Sequence, residues 1–525
     1  MNRVEIKNSR PVKKAKKSIL NVIFSRIFIL VALVVIQLIV FGATITYLQD
    51  YATYIYGGFM VLSVIIVIYI INNGNNSDFK LTWILLIMAA PVLGSAFYAF
   101  VKMQPGTGKL EKRLRQLEIE TKPYMVQEED VIRDIKASKP ANANLANFLN
   151  NKIDYPTYRN TMVTYFPSGE EKFEELKKQL QSAEKYIFME YFIIEEGFMW
   201  GTVLDILEEK VKQGVEVRVM YDGMCSAAIL PFGYDKVLKK KGIKCRRFSP
   251  IRPVISSYQN NRDHRKICVI DGKVAFTGGV NLADEYINQK ERFGHWKDTA
   301  IMLRGDAVQS FTIMFLQLWN IESRRKDSYE KYLTPKVKEE RRECGYVIPY
   351  GDSPYDRANV GEQVYLHILN HAKKYVHIMT PYLIVDADMI NTLTYAAECG
   401  IDVKIIMPHI PDKWYAFILA KTYYKCLLEA GVRIYEYTPG FIHAKVFVSD
   451  NDTATVGTIN LDYRSLYHHF ECGAFIYNNP VVFNIESDFQ KTLQKSQEVT
   501  IEDLKKQPML QKICGHILRL VAPLM

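Results

Sequence analysis

"HRKICVIDGKVAFTGGVN", residues 264–281, and "HAKVFVSDNDTATVGTIN", residues 443–460, repeat one pattern. In each stretch a lysine follows the histidine by two residues, an aspartate by seven and an asparagine by seventeen. The branched apolar residues predict a β-strand that ends in a turn, over Ile442–Asp450 in the second stretch. Because side chains alternate along a strand, the histidine and the lysine share a face. Four residue types at matched spacing favour a duplicated functional unit over a chance polar strand edge.

The repeat extends upstream of these stretches. "GVEVRVMYD" from Gly214 matches "GIDVKIIMP" from Gly400, and "EKYIFMEYFI" from Glu184 resembles "KKYVHIMTPYL" from Lys373. Each half is predicted to run helix, strand, helix, strand and then the histidine-lysine strand. The sequence therefore predicts an α/β fold of two duplicated halves, packed about a pseudo-twofold axis and preceded by amino-terminal transmembrane helices.

Composition and charge divide the chain into six predicted segments. These are a basic tail at 1–26, a membrane anchor at 27–101, a linker at 102–145, a first half at 146–325, a charged linker at 326–345 and a second half at 346–525.

Three apolar runs make up the predicted anchor: Ile27–Leu48, Tyr54–Ile71 and Leu81–Val101. As a helix the first would be about 33 Å long, enough to cross a hydrocarbon core of about 30 Å. We therefore expect a multi-pass protein of the cell membrane with two to three spans. Lysines before the first run favour a cytoplasmic amino terminus, and basic residues after the third favour a cytoplasmic catalytic part as well.

The overall composition limits the partners. The chain has 525 residues and a formal net charge of +10, which suggests an anionic partner such as a phosphate or an anionic membrane surface. Its eight cysteines form no CxxC pair, so neither a cysteine zinc site nor a disulfide scaffold is indicated. No clustered carboxylates have the spacing of a two-metal site, and we expect neither a metal nor a cofactor.

Two histidine-lysine-asparagine sets facing one cleft would suit a two-step displacement at phosphorus. One imidazole can attack as a nucleophile, while the other protonates the leaving oxygen and later deprotonates the acceptor. Ammonium and amide donors would hold the phosphate. The predicted phosphate-binding residues are Lys266, Asn281, Lys445 and Asn460.

Carboxylates are expected to orient the two histidines. Asp298 in "HWKDT" and Glu471 in "HFECG" lie shortly downstream of the two repeats and are the candidates. Asp271 and Asp450 complete the repeats but fall on the opposite strand face. They are better suited to a structural role at the turn after the strand.

HxKxxxxD, present twice and followed by "GGVN" and "GTIN", resembles the phospholipase D superfamily, and within it the bacterial cardiolipin synthases with two such motifs. The resemblance covers roughly residues 146–525. It implies that two phosphatidylglycerols give cardiolipin and glycerol through a phosphohistidine, with His264 as nucleophile and His443 as acid and base. The halves are nearly equivalent, so the residues alone leave that assignment open. The catalytic set it implies is His264, Lys266, Asp271, His443, Lys445 and Asp450.

Other functions stay open at this point. The same residues would serve a membrane-anchored phospholipase D that uses water, or a different phosphatidyltransferase. A non-enzymatic lipid-binding protein is disfavoured because both histidine-lysine pairs are intact. The expected partners are phosphatidylglycerol and anionic membrane lipids rather than nucleic acid. An aromatic, lysine-containing segment from Pro411 and the carboxyl-terminal "ILRLVAPLM" are candidates for lipid contact or for core packing.

Overall fold

The computed structural model describes most of the chain beyond residue 50. The described residues are 51–74, 76–103, 107–224, 228–249, 261–321, 323, 328–333, 345–356 and 358–524, with Val35, Leu38, Ile39, Gly42 and Ala43. The predicted tail at 1–26 and nearly all of the first apolar run lie outside this set. The chain forms two compact units, Met1–Pro105 with Ile251–Ser257, and Gly106–Pro250 with Tyr258–Met525.

Three helices form the described part of the first unit: α1 (Ala52–Asn72), α2 (Ser77–Ala89) and α3 (Pro91–Met103). The predicted third apolar run is thus divided in two, because Pro91 lacks the N–H that a continuous helix needs. The Trp83 ring packs at 5.4 Å from Phe97, which joins α2 to α3. Within the described ranges, no helix has both the length and the apolar character that crossing a bilayer requires.

The second unit begins with three helices where the sequence predicted a linker: α4 (Thr107–Thr121), α5 (Glu129–Ser138) and α6 (Pro140–Ile153). They pack onto the two halves that follow. Lys139, between α5 and α6, forms an ion pair with Asp452 at 2.9 Å. The predicted linker at 326–345 is described only at 328–333 and at 345, and Tyr332 there packs its ring 5.0 Å from Phe188.

Each half is a mixed sheet with helices packed against it. The first half contains β1 (Thr161–Phe166), α7 (Gly169–Gln181), β2 (Tyr186–Tyr191), α8 (Phe198–Lys212), β3 (Glu216–Asp222), α9 (Tyr234–Lys240), β4 (Lys244–Phe248), β5 (Lys266–Ile270), β6 (Val274–Gly278), β7 (His295–Lys297), β8 (Ala300–Gly305) and α10 (Val308–Asn320).

The second half repeats that order of elements. It contains β9 (Tyr346–Asp352), α11 (Val360–His371), β10 (Tyr375–Met379), β11 (Leu383–Ile384), α12 (Ala387–Glu398), β12 (Asp402–Pro408), α13 (Trp414–Glu429), β13 (Arg433–Tyr437), β14 (Gly440–Ile442), β15 (Val446–Ser449), β16 (Thr453–Gly457), β17 (Leu461–Asp462), α14 (Tyr463–Tyr467), β18 (Glu471–Tyr477), α15 (Val481–Leu493), β19 (Ser496–Glu498), α16 (Ile501–Lys505) and α17 (Met509–Val521).

Strand order shows that the halves share one topology. The first sheet runs β1-β8-β6-β5-β2-β3-β4, and the second runs β9-β18-β16-β15-β10-β12-β13 with β19 added at its edge. A single apolar core fills the space between the sheets and includes Ala275, Leu303, Ala454, Val456 and Ala474. The duplicated α/β fold predicted from the repeat is confirmed.

The second histidine-lysine stretch is not one continuous strand. The predicted strand over Ile442–Asp450 divides into the end of β14 and all of β15, and His443 lies in the break. The break occurs because the chain leaves its own sheet here: β14 pairs in parallel with β7 of the first half. The first half does the same in shorter form, because Asp263 makes a parallel bridge to Phe470 of the second half before β5 begins.

Candidate active site

Backbone hydrogen bonds between the halves fix both histidines. The N–H of His264 donates to the carbonyl oxygen of Phe470 at 2.9 Å, and the N–H of His443 donates to that of Lys297 at 2.7 Å. Both acceptors precede a carboxylate residue, Glu471 or Asp298, in the opposite half. The contacts are reciprocal, as a pseudo-twofold arrangement requires.

Each imidazole is oriented by a carboxylate of the other half. Nδ1 of His264 lies 2.8 Å from Oε1 of Glu471, and Nδ1 of His443 lies 2.7 Å from Oδ2 of Asp298. The expectation that these two acids orient the histidines agrees with this geometry, but the pairs cross between the halves. A carboxylate acceptor places the imidazole proton on Nδ1 and leaves the Nε2 lone pair free for chemistry.

Residues that follow β6 and β16 hold these carboxylates. Thr458 Oγ1 donates to Oε2 of Glu471, and the backbone N–H of Cys472 donates to Thr458 Oγ1 at 3.0 Å. Gly279 stands where the second half has Thr458, and a Cβ at Gly279 would collide with Oδ1 of Asp298. The repeats therefore differ here in step with their acids: Gly279 leaves room for Asp298, and Thr458 donates a hydrogen bond to Glu471.

The two motif lysines are buried at the same place. Nζ of Lys266 donates to the carbonyl oxygen of His264, and Nζ of Lys445 donates to that of His443. An ammonium group has three donors, so each lysine has hydrogens to offer to a phosphate. Burial lowers the pKa of Lys266 to about 8 and that of Lys445 to about 7.

Burial in one shared cleft lowers the pKa of both histidines. Burial, followed by the charges of Lys266 and Lys445, lowers the pKa of His264 well below its ordinary value. Burial and Lys445 lower the pKa of His443 to about 4, against the opposing effect of Asp298. Both imidazoles are therefore neutral in the free protein near pH 7, and an anion is the ligand that this set of groups favours.

The two predicted asparagine donors differ in their surroundings. Asn281 accepts from the backbone N–H of Ile193 at 3.0 Å and donates Nδ2–H to the hydroxyl of Tyr286 at 2.7 Å. It therefore supports the loop and the aromatic wall around His443, whose ring centroid lies 5.5 Å from that of Tyr286. Oδ1 of Asn460 is buried, with no hydrogen-bond partner among the described residues.

Asp271 and Asp450 lie apart from the histidines and perform one structural task in duplicate. The Asp271 carboxylate accepts backbone N–H bonds at 2.7–2.8 Å from Glu184, Lys185 and Tyr186, which lead into β2. Asp450 accepts the corresponding three at 2.7–3.1 Å at the start of β10. The structural interpretation agrees with this geometry, but each carboxylate fixes the neighbouring strand's entry rather than the turn after its own strand.

Aromatic and imidazole neighbours of the histidines are absent from the sequence-based set. Trp296 lies 5.4 Å from His443 between ring centroids, and His469 lies 5.5 Å from His264 in the corresponding position. Phe192 packs edge-on against His264 at 4.7 Å. The sequence holds one signal for the Trp296 and His469 positions. The residue two places before the orienting acid is a tryptophan in the first half and a histidine in the second.

The fold and the paired motifs define an α/β protein of the phospholipase D-like class. A family model described as "Cardiolipin synthase, PLD-like domain" matches residues 176–319 and 365–493, and one described as "Phospholipase_D-nuclease N-terminal" matches 61–102. The chain belongs to the PLD-like cardiolipin synthase family.

Individual proteins are similar to this chain in sequence or in fold. A protein named cardiolipin synthase from Halalkalibacterium halodurans is 34% identical over 90% of this chain and 95% of its own length. An uncharacterized protein from Streptococcus mutans is 53% identical over 87% of this chain and 99% of its own length. The crystal structure of phosphatidylserine synthase from Haemophilus influenzae shares the fold, with a TM-score of 0.55, 15% identity and coverage of 74% of this chain and 100% of that one.

Proposed function

We propose that this chain makes cardiolipin by moving a phosphatidyl group from one phosphatidylglycerol to another, with glycerol as the second product. The observation that carries the proposal is the reciprocal pair of histidine-carboxylate contacts, His264 with Glu471 and His443 with Asp298. Two buried lysines beside these pairs supply positive charge for the phosphodiester. Relatives named cardiolipin synthase support the same reaction.

In the first step, Nε2 of His264 attacks phosphorus as the bond from phosphorus to the glycerol oxygen breaks. The Glu471 carboxylate stabilises the positive charge that develops on the attacking imidazole. His443 gives its Nε2 proton to the departing glycerol oxygen. Binding of the phosphodiester anion favours protonated His443 and so raises its pKa from the low value of the free protein. The products are a phosphatidyl-histidine and glycerol.

In the second step the two imidazoles exchange the direction of their roles: His443 acts as a base, and His264 is the leaving group. A hydroxyl of the second phosphatidylglycerol gives its proton to His443, and its oxygen attacks the phosphorus. The bond from phosphorus to His264 breaks as cardiolipin forms, and both groups return to their starting states. The resemblance supports His264 as the nucleophile, since the two histidines have equivalent carboxylate partners.

The lipid substrates require contact with a bilayer, and an exposed apolar stripe on α17 supports this. Leu510 and Ile517 are 79% and 59% exposed, and helical spacing places Ile513 on the same side. Gly515, on the opposite side, packs against α13, where a Cβ would lie 2.8 Å from Cγ2 of Thr422. We propose that this stripe rests in the interfacial region of an anionic membrane.

α13, the aromatic segment that begins near Pro411, is mainly a core helix. Tyr423, Tyr424 and Leu427 are buried, whereas Trp414 at its start is 63% exposed. The amino-terminal apolar runs support the further proposal of a multi-pass anchor in the cell membrane, with the catalytic unit on the cytoplasmic side.

One experiment tests the proposed reaction directly. The full chain, purified in detergent, is incubated with phosphatidylglycerol alone in the presence of EDTA, and lipids and glycerol are followed by mass spectrometry. Cardiolipin and glycerol should appear in equal amounts, and His264→Ala should abolish both. Phosphatidic acid in place of cardiolipin would show that water is the acceptor and would overturn the transferase assignment.

A further inference from the structure

A third imidazole, His469, lies beside His264 and close to Glu471. It is 7% exposed, and neither of its ring nitrogens has a hydrogen-bond partner in the part of the chain that the structure describes. Its Nδ1 lies 3.7 Å from Oε1 of Glu471, beyond hydrogen-bond distance. A buried polar group without a partner is costly. Both ring nitrogens of His469 are therefore available to a ligand.

The donor atoms around His469 match one kind of ligand. Potential ligand atoms of His264, His469 and Glu471 all lie within 4.8 Å of one another. With zinc–ligand bonds of about 2.0–2.2 Å, tetrahedral donors are about 3.4 Å apart. Oε1 of Glu471 lies 2.8 Å from Nδ1 of His264 and 3.7 Å from Nδ1 of His469, which brackets that spacing.

The surroundings of this cluster resemble those of a metal site with one open position. Two imidazoles and one carboxylate form a ligand set used by zinc, with the fourth position left to water or substrate. Thr458 holds the other carboxylate oxygen of Glu471, as an outer-shell partner of a metal ligand does.

Only one of the two histidine motifs has these donors. Against His443, the corresponding place is taken by Trp296, whose indole offers no lone pair to a metal. A cation bound at this cluster would therefore act on one imidazole of the pair and leave the other unchanged.

We propose that His264, His469 and Glu471 form an inhibitory site for a divalent cation of the zinc class. The cation takes the Nδ1 lone pair of His264, and the proton that Nδ1 carried moves to Nε2. No proton is gained or lost, but Nε2 no longer has a lone pair with which to attack phosphorus. The inhibitory part rests on the proposed function, whereas the binding part does not.

Cobalt spectroscopy tests binding without reference to activity. The full chain in detergent is treated with EDTA, freed of chelator and titrated with Co²⁺, whose visible absorption reports four-coordinate binding. We expect one Co²⁺ per chain, displaced by Zn²⁺. His469→Gln should weaken binding by about tenfold or more, since even outer-shell partners are worth that much. His468→Gln, at the adjacent residue outside the cluster, is the matched control and should bind as the wild type does.

The same proteins then test inhibition. Zn²⁺ should suppress wild-type cardiolipin formation and EDTA should restore it, and His469→Gln should need about tenfold more Zn²⁺ for the same fractional loss. The site would be overturned if the wild type did not bind one Co²⁺ per chain, or if His469→Gln bound Co²⁺ as tightly as the wild type does. Bound metal without loss of turnover would overturn the inhibition. Absence of cardiolipin under EDTA would instead count against the proposed function, with the Co²⁺ spectrum still deciding the site.

Discussion

Glu471 accepts a hydrogen bond from Nδ1 of His264 at 2.8 Å, across the boundary between the two halves. Asp298 does the same for His443 at 2.7 Å, in the opposite direction. Each histidine therefore belongs to one half, but the carboxylate that fixes its tautomer belongs to the other half. The active site exists only where the halves meet.

Removing the negative charge of either acid should slow the reaction while leaving the fold intact. Glu471→Gln and Asp298→Asn should each lower kcat by about 10²–10⁴-fold, because the imidazole loses its orienting and stabilising partner. Initial rates with phosphatidylglycerol in mixed micelles measure the effect. Glu486→Gln is the matched control, since Glu486 pairs with His377 at 3.0 Å away from the motifs. Equal losses in all three variants would show that the effect is structural.

A covalent intermediate should form on one histidine. Labelled phosphatidylglycerol, quenched during turnover by the wild type, should leave an acid-labile label on His264. In His443→Ala, which keeps the nucleophile but lacks the acid for the leaving glycerol, the same label should form more slowly. The His264→Ala variant should stay unlabelled. Peptide mapping after rapid quenching identifies the residue. Label on His443 in the His264→Ala variant, with none on His264 in the other, would reverse the assignment of the two roles.

Asp271 and Asp450 should matter for stability rather than for chemistry. Asp271→Ala removes a carboxylate that accepts three backbone hydrogen bonds, which should lower the free energy of unfolding by about 1.5–3 kcal/mol. The half-buried Asp450 should show a smaller loss on Asp450→Ala. Thermal unfolding, with the exposed Asp205→Ala as control, measures this loss. A large fall in kcat at unchanged Tm would show instead that these residues take part in the reaction.

The pH dependence of kcat/KM should report the two buried lysines. Lys445 and Lys266 bind phosphate in their charged forms, which exist below pKa values of about 7 and about 8 in the free protein. Substrate capture should therefore decline as pH rises through this range. Bound phosphodiester raises both pKa values, so kcat should decline only at higher pH. Coincident alkaline limbs for kcat and kcat/KM would contradict a role in binding.

The apolar stripe on α17 should be needed on bilayers but not in micelles. Leu510→Asp and Ile517→Asp should weaken sedimentation with phosphatidylglycerol vesicles and slow turnover there, since each places a charge in the interface. In detergent micelles, where lipid comes to the enzyme, turnover should stay near wild type. Phe483→Asp is the control, because Phe483 is exposed on a different helix, α15. If Leu510→Asp and Ile517→Asp bound vesicles as the wild type does, the stripe would have no role in membrane contact.

The repeat in the sequence was enough to predict the duplicated fold, and the acids that it singled out lie beside the two histidines. It could not predict which acid meets which histidine, because each acid lies nearer in sequence to the histidine of its own half but contacts the histidine of the other half. The crossed pairing follows because β14 pairs with β7 of the other half. This is a tertiary contact, and the local sequence around either strand does not predict it.

Two other features escaped prediction for different physical reasons. The segment 102–145 is polar enough to suggest a linker, yet amphipathic patterning lets it form helices that pack on the catalytic unit. The repeat gives no signal for His469, because its counterpart in the first half is Trp296. Duplicated folds conceal such sites because their chemistry lies in the difference between the copies.

The pairing of β7 with β14 has a consequence for fragments of this chain. A polypeptide that ends after the first half would carry His264 without Glu471, and one that begins with the second would carry His443 without Asp298. Neither fragment alone could orient its imidazole, whereas the two produced together could restore both pairs by complementation. A single copy of such a half would need to dimerise before its imidazole had a carboxylate partner.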